Sequence, residues 1–322
     1  IDPEAVILVE AEIWPNFLWR LRDKRIPVFL VNARLSERSY RGYRRLRFLF
    51  RPLFASFAGV GAQSEADAAR LRELGCRPEA VQVVGSLKFD AAHLAERRAV
   101  DVPGLMGQLG IPPEAPILVA GSTHAGEEAL LADLFGRLKA RHPGLVLVLV
   151  PRHFERGREV GNVLADRKLR FVYRSEITSS TRRAPGEVDC LLVNTTGELR
   201  AFYEVASVVF VGKSMAAPGG GQNPIEPAAQ GKAIVFGPHM GNFAAIASAF
   251  VRGKGAIQVR DAAELEAALQ TLLADAAARR ALGENARTIV HASRGALERT
   301  IDLIVKPLEG SELYVAPPEG SG

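Results

Sequence analysis

Short β-branched runs alternate with longer amphipathic stretches along nearly the whole chain, and few patterns restrict the available folds as tightly. Strand-like runs fall at 6–9, 28–32, 59–62, 81–84, 117–120, 145–150, 171–173, 191–194, 208–211, 234–236 and 257–259. Between them the helical period is plain. Leu130, Leu131, Leu134, Phe135 and Leu138 share one face, as do Leu265, Leu269, Leu272 and Leu273. This succession predicts an α/β architecture of two Rossmann-like lobes, each a parallel sheet with helices on both faces.

Residues 91–116 lack strand character and carry Pro103, Gly104, Gly110, Pro112, Pro113 and Pro116, so the interdomain linker is expected there. It separates a partial lobe, 1–90, from a fuller one, 117–292. A helix is expected at 293–307, and a tail rich in Pro, Gly and Glu, 308–322, is expected to be disordered. The first lobe shows only four strand runs and opens almost directly on one, which predicts missing sheet partners and a lobe cut short at its N-terminus.

A chain of 322 residues, 48% hydrophobic, can bury a sizeable core. Its longest apolar runs, such as 145–150, are far shorter than the roughly 20 residues a membrane-spanning helix needs. Cys76 and Cys190 stand too far apart in sequence for a metal or redox motif, so a reducing compartment is permitted. The formal charge of +5 points to an anionic partner: nucleic acid, a phosphorylated metabolite or an acidic membrane surface.

Ligands of open α/β sheets bind beyond the carboxyl ends of the strands, so the residues that follow each run are the first candidates. Val150 is followed by Pro151-Arg152-His153, a fixed turn with a guanidinium fork suited to a phosphate or a base edge. Asn194 is followed by Thr195-Thr196-Gly197-Glu198, and Val211 by Gly212-Lys213-Ser214. The run Gly219-Gly220-Gly221 then leads into Gln222-Asn223-Pro224-Ile225-Glu226, which reads as a glycine-rich loop opening a helix, with Asn223 as N-cap and Pro224 at the first helical position. Two readings of Glu226 stand side by side. It either returns a hydrogen bond to the cap, or accepts the vicinal hydroxyls of a ribose while the helix start receives a phosphate.

In the first lobe, Glu10 and Glu12 follow the first strand run, and Lys88 sits just past the fourth. His124-x-x-Glu127-Glu128 lacks the second histidine of a zinc motif, and neither a dinucleotide-type glycine fingerprint nor a Walker loop is present, so no metal, dinucleotide or ATP is expected. Arg38, Arg41, Arg44, Arg45, Arg47 and Arg51 are interleaved with Tyr40, Tyr43, Phe48, Phe50 and Phe54. That segment reads as a solvated helix face with core aromatics, a helix on an anionic membrane, or a nucleic-acid contact.

Taken together, these residues resemble the 3-deoxy-D-manno-octulosonic acid (Kdo) transferases of lipopolysaccharide synthesis. Glu10-Ala11-Glu12-Ile13-Trp14-Pro15-Asn16 is similar to the family's Glu-Thr-Glu-Leu-Trp-Pro-Asn. Asn32-Ala33-Arg34-Leu35-Ser36, Gly85-Ser86-Leu87-Lys88-Phe89-Asp90, Ser122 to Glu128, Val150 to His153, Gly197-Glu198-Leu199, Asn223 to Ala228 and Gly237-Pro238-His239 continue the match in order.

The resemblance implies a GT-B fold and inverting, metal-independent transfer of Kdo from CMP-Kdo to a lipid A precursor. The place would be the cytoplasmic face of the inner membrane, with no nucleic acid involved. It further implies that Pro151, Arg152, Thr196, Gly197, Glu198, Asn223, Pro224, Ile225 and Glu226 hold CMP, and that Glu10 and Lys88 stabilise the transition state. The family's base, a Glu in a Ser-Val-Gly-Glu loop, belongs to an earlier segment not found here, so the chain as given is expected to be inactive. Two further departures are Gly220-Gly221-Gln222-Asn223-Pro224 for the family's Gly-Gly-His-Asn-Pro, and Gly212-Lys213-Ser214 for Gly-Gly-Ser. The alternatives are another GT-B nucleotide-sugar transferase or epimerase, and a non-catalytic nucleotide-binding module at a membrane.

Overall fold

The computed structural model describes residues 3–10, 13–94, 100–215 and 220–308, with the side chains of 92–94 excepted. The tail beyond 308 and Gly219 of the glycine run therefore lie outside the described residues. Eleven strands form, one at each run expected from sequence: β1 Val6–Val9, β2 Val28–Ala33, β3 Gly59–Ala62, β4 Val81–Val83, β5 Ile117–Thr123, β6 Val146–Pro151, β7 Phe171–Tyr173, β8 Cys190–Leu192, β9 Val208–Val211, β10 Ala233–Phe236 and β11 Ile257–Gln258. They divide into a sheet β1-β2-β3-β4 and a sheet β11-β10-β9-β5-β6-β8-β7, with every pairing parallel.

The chain forms two compact units, one of residues 1–91 with 293–322 and the other of 92–292. In the first, every residue of β2 is buried, and Phe29, Leu30, Phe54, Phe57 and Leu71 fill its core at 1% exposure or less. The helix Ala296–Val305 belongs to this unit. Asp90 accepts from the backbone of Gly295 and Leu297 at 2.9 Å each and so caps it, while the Arg299 guanidinium donates to the Val84 carbonyl at 2.9 Å. Leu303 lies where a side chain on Gly59 or Gly61 would reach, which explains two glycines inside a buried strand.

In the second unit one face of the sheet is covered by the helices Glu127–Arg141, Gly157–Asp166 and Ala262–Ala274, with Leu131, Phe135, Leu164, Leu265 and Leu269 fully buried. The stretch expected as a linker contributes here too. Val102–Gln108 is a helix capped by Asp101, and its Val102, Leu105 and Met106 are buried. From β5 the chain winds outward through β6 to β7 and back to β8, then crosses β5 to β9, β10 and β11. The reversal lies between β5 and β9, where an open sheet leaves a crevice beyond its strand ends.

Candidate functional site

At the carboxyl ends of β5, β6, β8 and β9 lies a cavity of about 460 Å³, within the size range of nucleotide and drug-sized sites. Each wall comes from one strand end. Gly121 and Ser122 finish β5, and a Cβ on Gly121 would lie 2.8 Å from the Tyr203 hydroxyl and 3.0 Å from Leu199. Ser122 has φ +55°, a left-handed conformation that a serine holds only when its surroundings enforce it. Beyond β6, Pro151, Arg152, His153, Phe154 and Glu155 form the second wall. Arg156 fixes that turn from behind through bonds of 2.7 Å to both the buried Glu128 and Glu159.

Thr195, Thr196 and Gly197 supply the third wall, with Gly197 at φ +83° allowing the turn. Glu198 faces away from this cavity. It accepts from Arg174 at 3.1 Å and from the Thr195 hydroxyl at 2.7 Å, and with Arg174 it lines a separate polar depression of the same unit. The fourth wall is Gln222, Asn223 and Glu226. The helix starts at Ile225, one residue later than the sequence pattern suggests, with Pro224 in the cap position. The Asn223 side chain nevertheless caps it, accepting from Ile225 N at 3.0 Å, and its Nδ2 donates to Glu226 Oε1 at 3.1 Å. Glu226 thus answers the Asn223 side chain rather than the cap backbone. Pro224 and Ile225 are buried and do not line the cavity.

Two residues that the motifs did not single out for this site organise it. Glu127, 1% exposed, accepts from the backbone amides of His124 at 3.0 Å, Lys213 at 2.7 Å, and Ser214 and Met215 at 2.9 Å each. The amides of the β9 turn are therefore committed to Glu127 and do not form a ligand cradle. Tyr203, 3% exposed, lies on the cavity floor. Burial, with the nearby Glu226 carboxylate adding to it, raises the phenol well above its ordinary value, so it stays a neutral hydroxyl. Glu127 carries a weak signal in sequence, as the first helical residue after a strand end. Tyr203 carries none.

In the first unit, Glu10 directly follows β1 at φ +61° and Asn32 lies at φ +51° near the end of β2. The Lys88 ammonium approaches Glu10 Oε1 at 3.3 Å and the Arg34 guanidinium approaches its other oxygen at 3.7 Å. Glu10 and Lys88, each expected just past a strand and joined only by the role the family resemblance implies, are thus in contact. Glu12 lies outside the described residues. Among the described residues no group of three or more His, Cys, Asp or Glu could hold a metal ion.

A family model described as 3-deoxy-D-manno-octulosonic-acid transferase (kdotransferase) matches residues 1–91. A 3-deoxy-D-manno-octulosonic acid transferase of Haemophilus influenzae is 33% identical over 313 residues, covering 96% of this chain and 71% of the relative. The C-terminal CMP-Kdo binding domain of WaaA from Acinetobacter baumannii superposes with a TM-score of 0.53 at 26% identity, over 63% of this chain and 97% of that domain. An α,α-trehalose-phosphate synthase (UDP-forming) from Burkholderia vietnamiensis shares the fold, with a TM-score of 0.55 at 18% identity over 96% of this chain and 75% of its own.

Proposed function

The chain belongs to the Kdo transferase family and has the GT-B fold of nucleotide-sugar glycosyltransferases, and from that premise we propose that it moves Kdo from CMP-Kdo to a lipid A precursor at the cytoplasmic face of the inner membrane. The observation that carries the donor half is the cavity at the strand reversal, where Arg152, Gly197, Asn223 and Glu226 meet. A nucleotide monophosphate needs an anion site, a ribose site and a base slot. Arg152 offers a fork of donors to the phosphate. Glu226, held through one oxygen by Asn223, presents the other to the vicinal ribose hydroxyls. Thr196, Gly197 and Pro151 form the walls around the base. Glu198 contributes by fixing that turn through Thr195. Pro224 and Ile225 contribute by setting the helix that carries Glu226.

Transfer with inversion passes through an oxocarbenium-like centre while CMP departs. A carboxylate stabilises the first and cations the second, the roles proposed for Glu10 and Lys88. Membrane attachment has separate support. Phe48 is 81% exposed among the arginines, whereas Tyr40 and Phe54 are buried, so the aromatics of this segment do not all belong to the core.

Calorimetry with CMP and UDP, together with transfer of labelled Kdo from CMP-Kdo to a lipid A precursor, tests the reading. We expect CMP to bind and UDP to bind at least about tenfold more weakly. Glu226→Ala is expected to lose about 1.5–3 kcal/mol of CMP affinity, the range for hydrogen bonds to a charged acceptor. Equal CMP affinity in the variant would remove the ribose role, and preference for UDP would favour a UDP-sugar enzyme.

A further inference from the structure

We propose that Asn32 is the positioning residue of the Glu10–Lys88 pair, one side-chain amide that sets the carboxylate with one end and the lysine's helix with the other. The inference rests on the reading of Glu10 and Lys88 as transition-state stabilisers. Asn32 is 4% exposed, and its φ of +51° is a left-handed conformation that asparagine tolerates better than other residues with a side chain. Its Nδ2 donates to Glu10 Oε1 at 3.4 Å. Its Oδ1 accepts from the backbone of Leu87 at 3.2 Å, and Leu87 opens the helix whose next residue is Lys88.

Chemistry fixes the orientation of the amide. A backbone N–H only donates and an ionised carboxylate only accepts, so oxygen must face Leu87 and nitrogen must face Glu10. The oxygen of Glu10 that Asn32 reaches is the one that Lys88 approaches at 3.3 Å. Behind the side chain, the Asn32 carbonyl accepts from Gln63 Nε2 at 2.8 Å, which ties the strained backbone to the end of β3. Glu10 itself is left-handed, so its carboxylate stands on a backbone that does not relax freely. Aspartate would keep the acceptor for Leu87 but lose the donor, glycine would keep only the backbone conformation, and glutamine is one methylene too long for both ends.

Labelled Kdo transfer from CMP-Kdo by the full-length enzyme tests this with Asn32→Asp, Asn32→Gly, Glu10→Gln and the double variants of Glu10→Gln with each. A carboxylate displaced by about 1 Å costs on the order of 100-fold in rate, so both Asn32 variants are expected to lower kcat by about 10- to 100-fold. The KM for CMP-Kdo should stay within about twofold, because the donor cavity is elsewhere in the chain. In the Glu10→Gln background Asn32→Asp, which keeps the acceptor for Leu87, should cost less than about twofold more, since coupled residues are not additive, whereas Asn32→Gly should keep the part of its loss that comes from freeing the Lys88 helix. Asn32→Gly keeps the left-handed backbone without strain, and its own kcat decides the matter if Asn32→Asp fails to fold. Losses that multiply in the double variant of Glu10→Gln with Asn32→Asp, or wild-type kcat in either Asn32 variant, would overturn the inference while leaving Glu10 its role. Wild-type kcat in Glu10→Gln would remove that role, and this inference with it.

Discussion

The Glu127 carboxylate is buried to 1% exposure and receives four backbone N–H groups, three of them from Lys213, Ser214 and Met215. An isolated charge in such a place is costly, and the four donors replace the water it lost. In Glu127→Gln one oxygen becomes an NH2 that opposes the amides it faced, leaving donors without acceptors at about 1–3 kcal/mol each. We expect the variant to melt several degrees lower and to bind CMP about tenfold more weakly, read by thermal denaturation and calorimetry. Unchanged melting and affinity would show that the β9 turn holds its shape without this brace. The sequence showed Glu127 beside His124 in a failed metal pattern and within the family match, but not as a brace, because its main partners are backbone amides 86 to 88 residues away, which no residue type marks. Arg152 and Glu226 were legible because a strand end and a helix start are local signals. The direction in which Glu198 turns was not, since it depends on Arg174 from a separate segment.

Elements differ in how far they can be read from sequence. The eleven strands among the described residues each fall at a run read from sequence, yet the placement of β8 between β6 and β7 does not follow from it, because sequence order fixes neighbours in only about two-thirds of cases. The helix Val102–Gln108 is hidden by Pro103 and Gly104, although Asp101 before a proline in the first turn is an ordinary helix start. One contact ties the β7–β8 edge to the helix Glu127–Arg141: Asp189, just before β8, meets Arg170 and Lys139 at 2.8 Å each. Burial alone would raise its carboxyl, but the hydrogen bonds from Arg170 and Lys139 outweigh it and hold the pKa at about 2. The folded value is depressed below the ordinary 3.8, so this stabilisation is complete above about pH 4 and is lost as pH falls toward 2. With Arg170 half exposed, solvent screening leaves on the order of 1–2 kcal/mol. Asp189→Asn is therefore expected to melt lower than wild type at pH 7, with the gap closing between about pH 4 and pH 2. A gap that persists at pH 2 would assign the loss to packing rather than charge.

For the molecule as a whole, a net charge of +5 names no partner until it is placed on a surface. Among the described residues no helix is long and apolar enough to cross a membrane. The helices Glu37–Arg45 and Arg47–Phe54 meet at a corner where Leu46, Phe48 and Leu49 are 44%, 81% and 40% exposed. Arg45 and Arg47 flank that apolar tip and are exposed, whereas Arg41 and Arg44 pair with Glu37 and Glu73. Apolar groups beside cations suit the boundary of an anionic bilayer, where each arginine near the surface adds about 1 kcal/mol. Replacing Arg45 and Arg47 with glutamate should then cost about 2 kcal/mol or more, roughly a 30-fold fall in vesicle partitioning. Raising salt from about 0.1 M to about 1 M shortens the screening length from about 10 Å to about 3 Å, and should weaken wild-type binding while changing the double variant little. Phe48→Ala should weaken binding at both salt concentrations, because burial of its ring is not screened. Sedimentation with vesicles of phosphatidylcholine, with and without anionic lipid, measures all three. Equal binding to both vesicle types, or no loss in the double arginine variant, would make this corner an ordinary solvated face and leave membrane attachment to another part of the protein.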